Sequence, residues 1–258
     1  MPAHQAGVPP AGTPGGASGP APDVGVGRLR IGVTERGDGG LEQSWRGAVA
    51  WGRVDGVVVI TKAPHLLLAE SLPRAVVVHC TITGLAPDWE PHVLPVADAI
   101  RAYHALVGQY GGERVVLRVD PIIPEPPWLA RATAVLAQAA GRVRISFLDL
   151  YPHVRARMAA AGLVLAQADF HAPLVLRREL WEHWRRPEVC GEPGLPCTGC
   201  VSMRDVQAMG LDAGQLSGQR RGQRGTCACV AEKVELLPAR QPCAHGCTYC
   251  YWRGGSGE

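Results

Sequence analysis

Nearly unbroken runs of branched apolar residues constrain the fold of this chain more than any other feature. The run Gly56-Val57-Val58-Val59-Ile60 has no polar side chain, which is typical of a parallel strand buried on both faces. Similar β-rich runs predict six strands, at 29–33, 57–61, 75–81, 114–119, 142–148 and 234–237. Helical patterns between them predict helices at 41–51, 65–72, 96–110, 128–140, 152–161 and 174–186.

Strands and helices in this alternation build a parallel α/β fold. The pattern alone leaves two architectures open, a partial (β/α) barrel and an open doubly wound sheet. Both collect functional residues at the carboxyl ends of the strands. The sequence predicts four segments: a disordered Pro/Gly/Ala-rich tail at 1–27, the main part of the barrel at 28–186, an irregular Cys-rich region at 187–230, and the final strand with its cysteine loop at 231–258.

Composition is that of a globular protein in a reducing compartment. Of the 258 residues, 47% are hydrophobic and 19% are charged, and the net charge of +3 does not by itself indicate nucleic-acid or membrane binding. No apolar run approaches the ~18–20 residues that span a bilayer, and the N-terminus lacks the basic and apolar regions of a secretory signal. Nine cysteines without such a signal favour metal ligation over disulfides and predict a cytoplasmic protein.

The most specific motif is Cys243-x3-Cys247-x2-Cys250 near the C-terminus. Three thiolates in so short a loop can converge on one iron–sulfur cluster, and Gly246 lets the backbone turn tightly between them. Three ligands leave one iron of a 4Fe-4S cube without a protein ligand, and an open position is what a catalytic metal needs. Because the loop follows the last predicted strand, it belongs at a carboxyl end. The alternative is a zinc knuckle with His245 as a fourth ligand.

With the aromatic Tyr249 before its third cysteine, this motif resembles the signature of radical S-adenosylmethionine (SAM) enzymes. The resemblance implies a partial (β/α)6 TIM-type barrel whose 4Fe-4S cluster binds SAM at its fourth iron, with Tyr249 near the adenine. It further implies reductive cleavage of SAM to a 5′-deoxyadenosyl radical that abstracts hydrogen from a substrate, which the sequence does not identify. The implied partner is an external one-electron reductant such as flavodoxin or ferredoxin.

Several upstream phrases are similar to the spore photoproduct lyase branch, and they occur in the same relative order. They are Val59-Ile60-Thr61-Lys62, Thr81-Ile82-Thr83-Gly84, Glu90-Pro91 and Arg118-Val119-Asp120-Pro121-Ile122-Ile123-Pro124. Within them, Glu90 is either a loop residue or a part of the site. In most of the superfamily the cysteine motif follows the first strand, whereas here it ends eight residues before the C-terminus. The chain therefore resembles a circularly permuted barrel, as in a bacterial family of unknown function with a C-terminal cysteine cluster. Residues 28–45 depart from that family's pattern.

The resemblance also implies roles for polar residues at the strand ends. Lys62 would contact the SAM carboxylate or a substrate anion, the alternative being a solvated loop lysine. Thr81 and Thr83 share a face and either hydrogen-bond SAM or cap their strand. Arg118 and Asp120 share a face in an apolar strand, so they either form an ion pair or contact the ribose or carboxylate of SAM.

A second group of cysteines has metal-like spacing. Cys197-x2-Cys200 and Cys227-x-Cys229 supply four thiols, with Cys190 nearby as a substitute. The surrounding region has few apolar residues, so a metal would act as its staple. The site would hold an auxiliary iron–sulfur cluster or zinc, and the resemblance favours Cys190, Cys200, Cys227 and Cys229. The alternative is reduced cysteines with incidental spacing.

Two other functions remain open at this point. The first is a DNA lesion repair lyase of photoproduct-lyase type, which the branch resemblance and the arginine clusters at 177–178, 185–186 and 220–224 suggest. The second is a metal-stapled barrel that serves as a binding or redox-sensing module without being an enzyme.

Overall fold

A computed structural model describes residues 28–220, 226–237 and 243–252 of the chain. The fold is mixed α/β, with a parallel sheet that curls into a half-barrel. Its strands are β1 (Ile31–Val33), β2 (Gly56–Thr61), β3 (Val76–Thr81), β4 (Val115–Ile122), β5 (Val143–Phe147), β6 (Glu188–Val189), β7 (Gln219–Arg220), β8 (Cys229–Val230) and β9 (Lys233–Glu235). The predicted tail at 1–27 lies outside the described residues.

Seven of these strands form the main sheet in the order β6-β5-β4-β3-β2-β1-β9, and all of its pairings are parallel. Every residue of β2 and of β3 is buried, which confirms the interpretation of the valine-rich runs. The last strand lies beside the first, since Ile31 of β1 is in register with Lys233 of β9. The remaining two strands, β7 and β8, form a separate antiparallel pair.

The part of the chain that the structure describes contains six α-helices. They are α1 (Trp45–Ala50), α2 (Val96–Tyr110), α3 (Trp128–Leu136), α4 (Pro152–Ala160), α5 (Leu174–His183) and α6 (Met203–Ala208), with short 3-10 helices at Pro64–Leu68 and Ala213–Gln215. Ala99, Tyr103 and Leu106 of α2 pack with the sheet in the largest core, to which α1, α3 and α5 also contribute. The helical period of the apolar residues explains this stripe.

The Cys-rich region covers the face of the sheet opposite to α1, α2, α3 and α5, and it contains the short elements β6, α6, β7 and β8. Val201, Val206 and Met209 pack on the inward side chains of β1 to β4. Ser202 begins α6 with a capping box, because its side chain accepts from Asp205 N while the Asp205 carboxylate accepts from Ser202 N. The sequence did not predict β6, one of the seven strands of the main sheet, because a strand of two residues is too short to show a periodic pattern.

A third core lies beyond the carboxyl ends of the strands. Leu85, Leu148 and Val154 pack there against Cys247 and Tyr249, which come from the end of the chain. Helix α4 also belongs to this core. The cysteine motif therefore packs against α4 and against the loops that follow the strands.

Some predicted boundaries need correction. The first helix begins at Trp45 instead of residue 41, because Asp38 Oδ1 accepts the N–H groups of Gly40 and Leu41 and holds that segment in a turn. The helix expected at 65–72 is the 3-10 helix Pro64–Leu68, and β4 continues to Ile122. Within the described ranges, no helix is long and apolar enough to cross a bilayer.

Candidate functional site

The candidate site is a cavity at the carboxyl ends of the parallel strands. Thr61 at the end of β2 and Thr81 at the end of β3 belong to its wall. The three motif cysteines, Cys243, Cys247 and Cys250, line the same cavity. The fold therefore brings the motif to the edge of the sheet at which α/β proteins place their functional groups.

The cysteine loop, residues 243–252, is anchored to the barrel by its backbone. Thr248 N donates to Trp89 O at 3.0 Å, and Arg157 Nε donates to Thr248 O, also at 3.0 Å. The same guanidinium donates to the Cys250 carbonyl. These bonds fix the loop by its main chain, so the cysteine side chains are left to face the cavity.

The motif thiols have the right chemistry for a thiolate-bound metal group. Gly246 has φ of 65°, a left-handed conformation that turns the loop between Cys243 and Cys247. Burial raises the pKa of the Cys247 thiol to about 12, although the Lys62 ammonium opposes that effect. In the part of the chain that the structure describes, no group of three or more His, Cys, Asp or Glu side chains already has metal-site spacing. The donor set thus fits a cluster, and binding requires the thiols to lose protons and converge.

A buried carboxylate, Glu90, organises the groups beside the thiols. Lys62 Nζ donates to Glu90 Oε1 at 2.7 Å and Thr83 Oγ1 donates to Glu90 Oε2 at 2.7 Å. The Tyr249 hydroxyl also donates to Glu90 Oε1, and Lys62 Nζ lies 5.5 Å from the centre of the Tyr249 ring. Thr83 therefore acts through Glu90, while Lys62 and Tyr249 also line the cavity.

Electrostatics keeps this network charged despite its burial. Burial lowers the pKa of Lys62, but Glu90, Cys247 and Asp120 outweigh burial and raise it overall. Burial likewise raises the pKa of Glu90, and the Lys62 ammonium more than reverses that shift. The Tyr249 hydroxyl has a pKa well above its usual value, because it is buried next to the Glu90 carboxylate.

A second carboxylate, Asp38, ties the cysteine loop to the sheet. Its Oδ1 accepts from Thr61 Oγ1 at 2.6 Å, and its Oδ2 accepts from Lys62 N at 2.6 Å and from His245 Nε2 at 2.8 Å. The other ring nitrogen of His245 lies 3.2 Å from the His92 carbonyl oxygen, so two acceptors favour the doubly protonated ring. Burial lowers the pKa of His245, but Asp38 reverses this and raises it.

The ion pair between Arg118 and Asp120, one of the two interpretations that the sequence left open, lies on the inward face of β4. The Arg118 guanidinium donates to the Asp120 carboxylate, and both side chains line the cavity. Among the described residues, neither Nε of Arg118 nor Oγ1 of Thr81 has a hydrogen-bond partner, although both atoms are buried. Buried polar atoms are rarely left unsatisfied, so these two indicate a place for a polar ligand. The wall therefore fits a ligand with hydrogen-bonding groups.

The second group of cysteines divides between two places. Cys190, Cys200 and Cys227 line the same cavity as the motif cysteines. By contrast, Cys197 Sγ accepts from Glu192 N at 3.1 Å and lies 3.3 Å from Glu192 O. No disulfide links any of the nine cysteines.

Aromatic side chains lie near the tip of the cysteine loop. Tyr151, Tyr251 and Trp252 line the cavity, and the Tyr151 and Tyr251 rings meet edge to face with centroids 5.3 Å apart. The Arg36 guanidinium lies 5.6 Å from the centre of the Trp252 ring. This side of the cavity offers flat apolar faces beside polar groups.

Sequence reasoning missed Asp38 and left the roles of Glu90 and His245 open. Asp38 lies in the segment that departs from the resemblance, and only its place after β1 could have signalled a role. For Glu90 the sequence left two interpretations, a loop residue or a part of the site, and only the Glu90-Pro91 phrase pointed to the second. His245 was weighed as a zinc ligand, whereas its ring is directed to Asp38.

Comparison with known proteins finds one family. A model described as "Domain of unknown function (DUF1848)" matches residues 41–252. No curated protein and no solved structure matches the chain. Residues 35–38, which supply part of the cavity wall, precede the matched range.

Proposed function

The chain belongs to the DUF1848 family, and we propose that it is a radical SAM-type iron–sulfur enzyme acting on an unidentified substrate. The observation that carries this proposal is the shared cavity: the thiols of Cys243, Cys247 and Cys250 face the same space as Lys62 and Asp120. Cysteine thiolates from one compact loop are the usual ligands of iron–sulfur clusters. When bound, a reduced 4Fe-4S cluster supplies one electron to SAM, which splits into methionine and a 5′-deoxyadenosyl radical.

The chain's own task is to hold and orient SAM and to exclude water. Lys62 has three N–H donors, and because Glu90 takes one, the ammonium can also bind the SAM carboxylate. Thr81 Oγ1 and Arg118 Nε, both without partners among the described residues, would donate to SAM oxygens. Asp120 would accept from ribose hydroxyls, and the Tyr249 ring would pack on the adenine.

Charge also supports the proposal. Three thiolates in one buried site repel each other, and nearby cations are needed to offset that repulsion. The ammonium of Lys62 lowers the pKa of Cys247, against the larger effect of burial. This ammonium would therefore favour the deprotonated thiols that a cluster requires.

We further propose that the half-barrel is a circularly permuted (β/α)6 barrel. The cysteine loop follows β9, the last strand in the chain, and β9 pairs in parallel with β1. If the chain began at β9, the cysteine loop would follow the first strand, and β1 to β5 would follow in spatial order. A permutation of this kind would change the order of the strands along the sequence but keep the same strands next to each other in the sheet.

Anaerobic reconstitution tests the proposal. The full chain is loaded with iron and sulfide, reduced with dithionite and given SAM, and 5′-deoxyadenosine and methionine are measured. We expect equal amounts of both products in the unmodified protein and none above background in Cys243→Ala. Cys197→Ser is the matched control, because that thiol lies outside the cavity wall. A bound cluster that never consumes SAM would overturn the enzyme proposal and favour a redox or binding module.

The same preparation tests the repair-lyase alternative. Phosphate contacts make DNA affinity fall steeply with salt. Salt-sensitive binding of irradiated DNA, followed by SAM-dependent loss of its lesions, would assign the substrate to that class. Absence of binding would exclude it while leaving SAM cleavage intact.

A further inference from the structure

Four cysteines outside the motif lie close together as two pairs, although they come from three separate segments, and their sulfurs would have to move slightly to reach metal-site spacing. Cys190 follows β6, Cys200 precedes α6, and Cys227 and Cys229 lead into β8. The sulfur atoms of Cys190 and Cys200 are 2.8 Å apart, and those of Cys227 and Cys229 are 3.1 Å apart. Cys200 N donates to Cys229 Sγ at 3.2 Å, which joins the two pairs.

The backbone is built to allow this approach. Gly199 has φ of 82°, and a Cβ there would lie 2.6 Å from Cys229 N and 2.7 Å from the Ala228 carbonyl carbon. Only glycine therefore lets the segment before Cys200 touch the segment before Cys229. Arg144 fixes the first segment by donating to the Cys200 carbonyl at 2.8 Å.

Charged side chains of both signs lie beside the four sulfurs. Lys233 Nζ lies 3.9 Å from Cys229 Sγ, and the Lys233 ammonium is also paired with Glu35. Glu35 Oε1 lies 3.7 Å from Cys200 Sγ, so the carboxylate of this ion pair also flanks the sulfurs. The Lys233 ammonium would offset part of the negative charge of a metal–thiolate group at this site.

We propose that Cys190, Cys200, Cys227 and Cys229 form a four-thiolate site for a single tetrahedral ion of the zinc type. Bonds of about 2.3 Å to a tetrahedral ion place sulfurs about 3.8 Å apart. The Cys190–Cys200 pair, at 2.8 Å, therefore needs to open by about 1 Å, and the Cys227–Cys229 pair, at 3.1 Å, by about 0.7 Å. The separate iron corners of a cube would require a much wider spread. Cys197 is not a ligand, because its sulfur is held at the Glu192 backbone.

The ion would fix one wall of the candidate cavity, because Cys190, Cys200 and Cys227 line it. It would replace thiol hydrogen bonds with metal–sulfur bonds and so set the distance between the Cys-rich region and the cysteine loop. This inference does not depend on the proposed function, since it involves none of the motif thiols.

The test uses the full chain with Cys243, Cys247 and Cys250 all changed to Ala, which isolates the second site. The variant is produced with added zinc, desalted and analysed for zinc, iron and acid-labile sulfide. We expect about one zinc per chain, as a closed four-cysteine site holds one ion, and no iron or sulfide. Adding Cys200→Ser should remove most of the zinc, whereas adding Cys197→Ser should leave the zinc content unchanged.

A second measurement keeps the test decisive if the Cys200→Ser protein does not fold. Cobalt(II) replaces zinc in the triple-alanine variant, and its absorption spectrum is recorded. Intense sulfur-to-cobalt charge transfer with tetrahedral d–d bands is the expected result. Absence of zinc and of these bands, or the presence of iron with sulfide, would overturn the proposal.

Discussion

Replacement of Asp38 is the sharpest structural perturbation of the candidate site. The carboxylate is buried, with 6% of the residue exposed. It accepts hydrogen bonds from the hydroxyl of Thr61 and the ring of His245. It also accepts three backbone N–H groups, from Gly40, Leu41 and Lys62. Asp38→Ala leaves all five donors without this acceptor and breaks the link between the cysteine loop and β2.

The magnitude follows from the buried ion pair with His245. Removing one partner of such a pair costs about 3–5 kcal/mol, because a charge stays buried without compensation. The neutral donors add to this, but their effects are not independent, so we expect about 4 kcal/mol for Asp38→Ala. For a chain of this size that corresponds to a melting temperature lower by roughly 8–16 °C. Asp38→Asn keeps one acceptor but turns an amide N–H towards a donor. We therefore expect it to lower the free energy of unfolding by about half as much as Asp38→Ala.

Urea denaturation followed by far-ultraviolet circular dichroism measures the free energy of unfolding at pH 7. Asp55→Asn is the matched control, because Asp55 is exposed and accepts from the Arg30 backbone, and its cost should stay below about 1 kcal/mol. A loss in Asp38→Ala no larger than in this control would refute the reasoning, since it would mean that the five hydrogen bonds stabilise nothing. Retention of iron in the reconstituted Asp38→Ala protein would show that Asp38 does not position the cysteine loop.

Three further outcomes are expected. Burial, and after it the Arg144 guanidinium, lowers the pKa of His79 from 6.5 to about 4. Between these two pH values the histidine is protonated in the unfolded chain but not in the folded one. The free energy of unfolding should therefore fall by about 3 kcal/mol as the pH drops from 6.5 to 4. Denaturation curves at several pH values should show this slope, and His79→Asn should lack it. Lys62→Met should raise the KM for SAM more than it lowers kcat in the 5′-deoxyadenosine assay, and unchanged kinetics would argue against a contact with the carboxylate. Gly199→Ala should lower the zinc content of the triple-alanine variant, and full zinc occupancy would contradict the need for close backbone approach there.

The sheet was predictable because its information is local. Each valine-rich run is buried on both faces, and one run needs no knowledge of its neighbours to be recognised. Helix α2 was predicted with its observed ends, since Pro95 and Gly111 mark them. Strand β6 has two residues and owes its place to pairing with β5, which no local pattern encodes.

The site was predictable only where the residue type already implies chemistry. Cysteine spacing identified the motif, and the three motif cysteines share one cavity with Cys190, Cys200 and Cys227 of the second group. Glu90 and Asp38 carry no such signal, because a carboxylate in a loop is usually solvated. Their importance arises from burial and from partners far along the chain, such as His245, which lies 207 residues from Asp38. Such long-range pairing is set by the tertiary fold.

The pairing of each cavity cation with a carboxylate bears on which ligand the cavity suits. A lone buried lysine would favour any small anion, since nothing else would compensate its charge. Here Lys62 is paired with Glu90 and Arg118 with Asp120, so the wall presents donors and acceptors side by side. An amino-acid group carries an ammonium and a carboxylate together, and only a wall with both signs satisfies both without leaving a buried charge unpaired. We therefore expect the ion-paired wall to favour a ligand that carries both charges, as the methionine end of the proposed SAM does, over a simple anion.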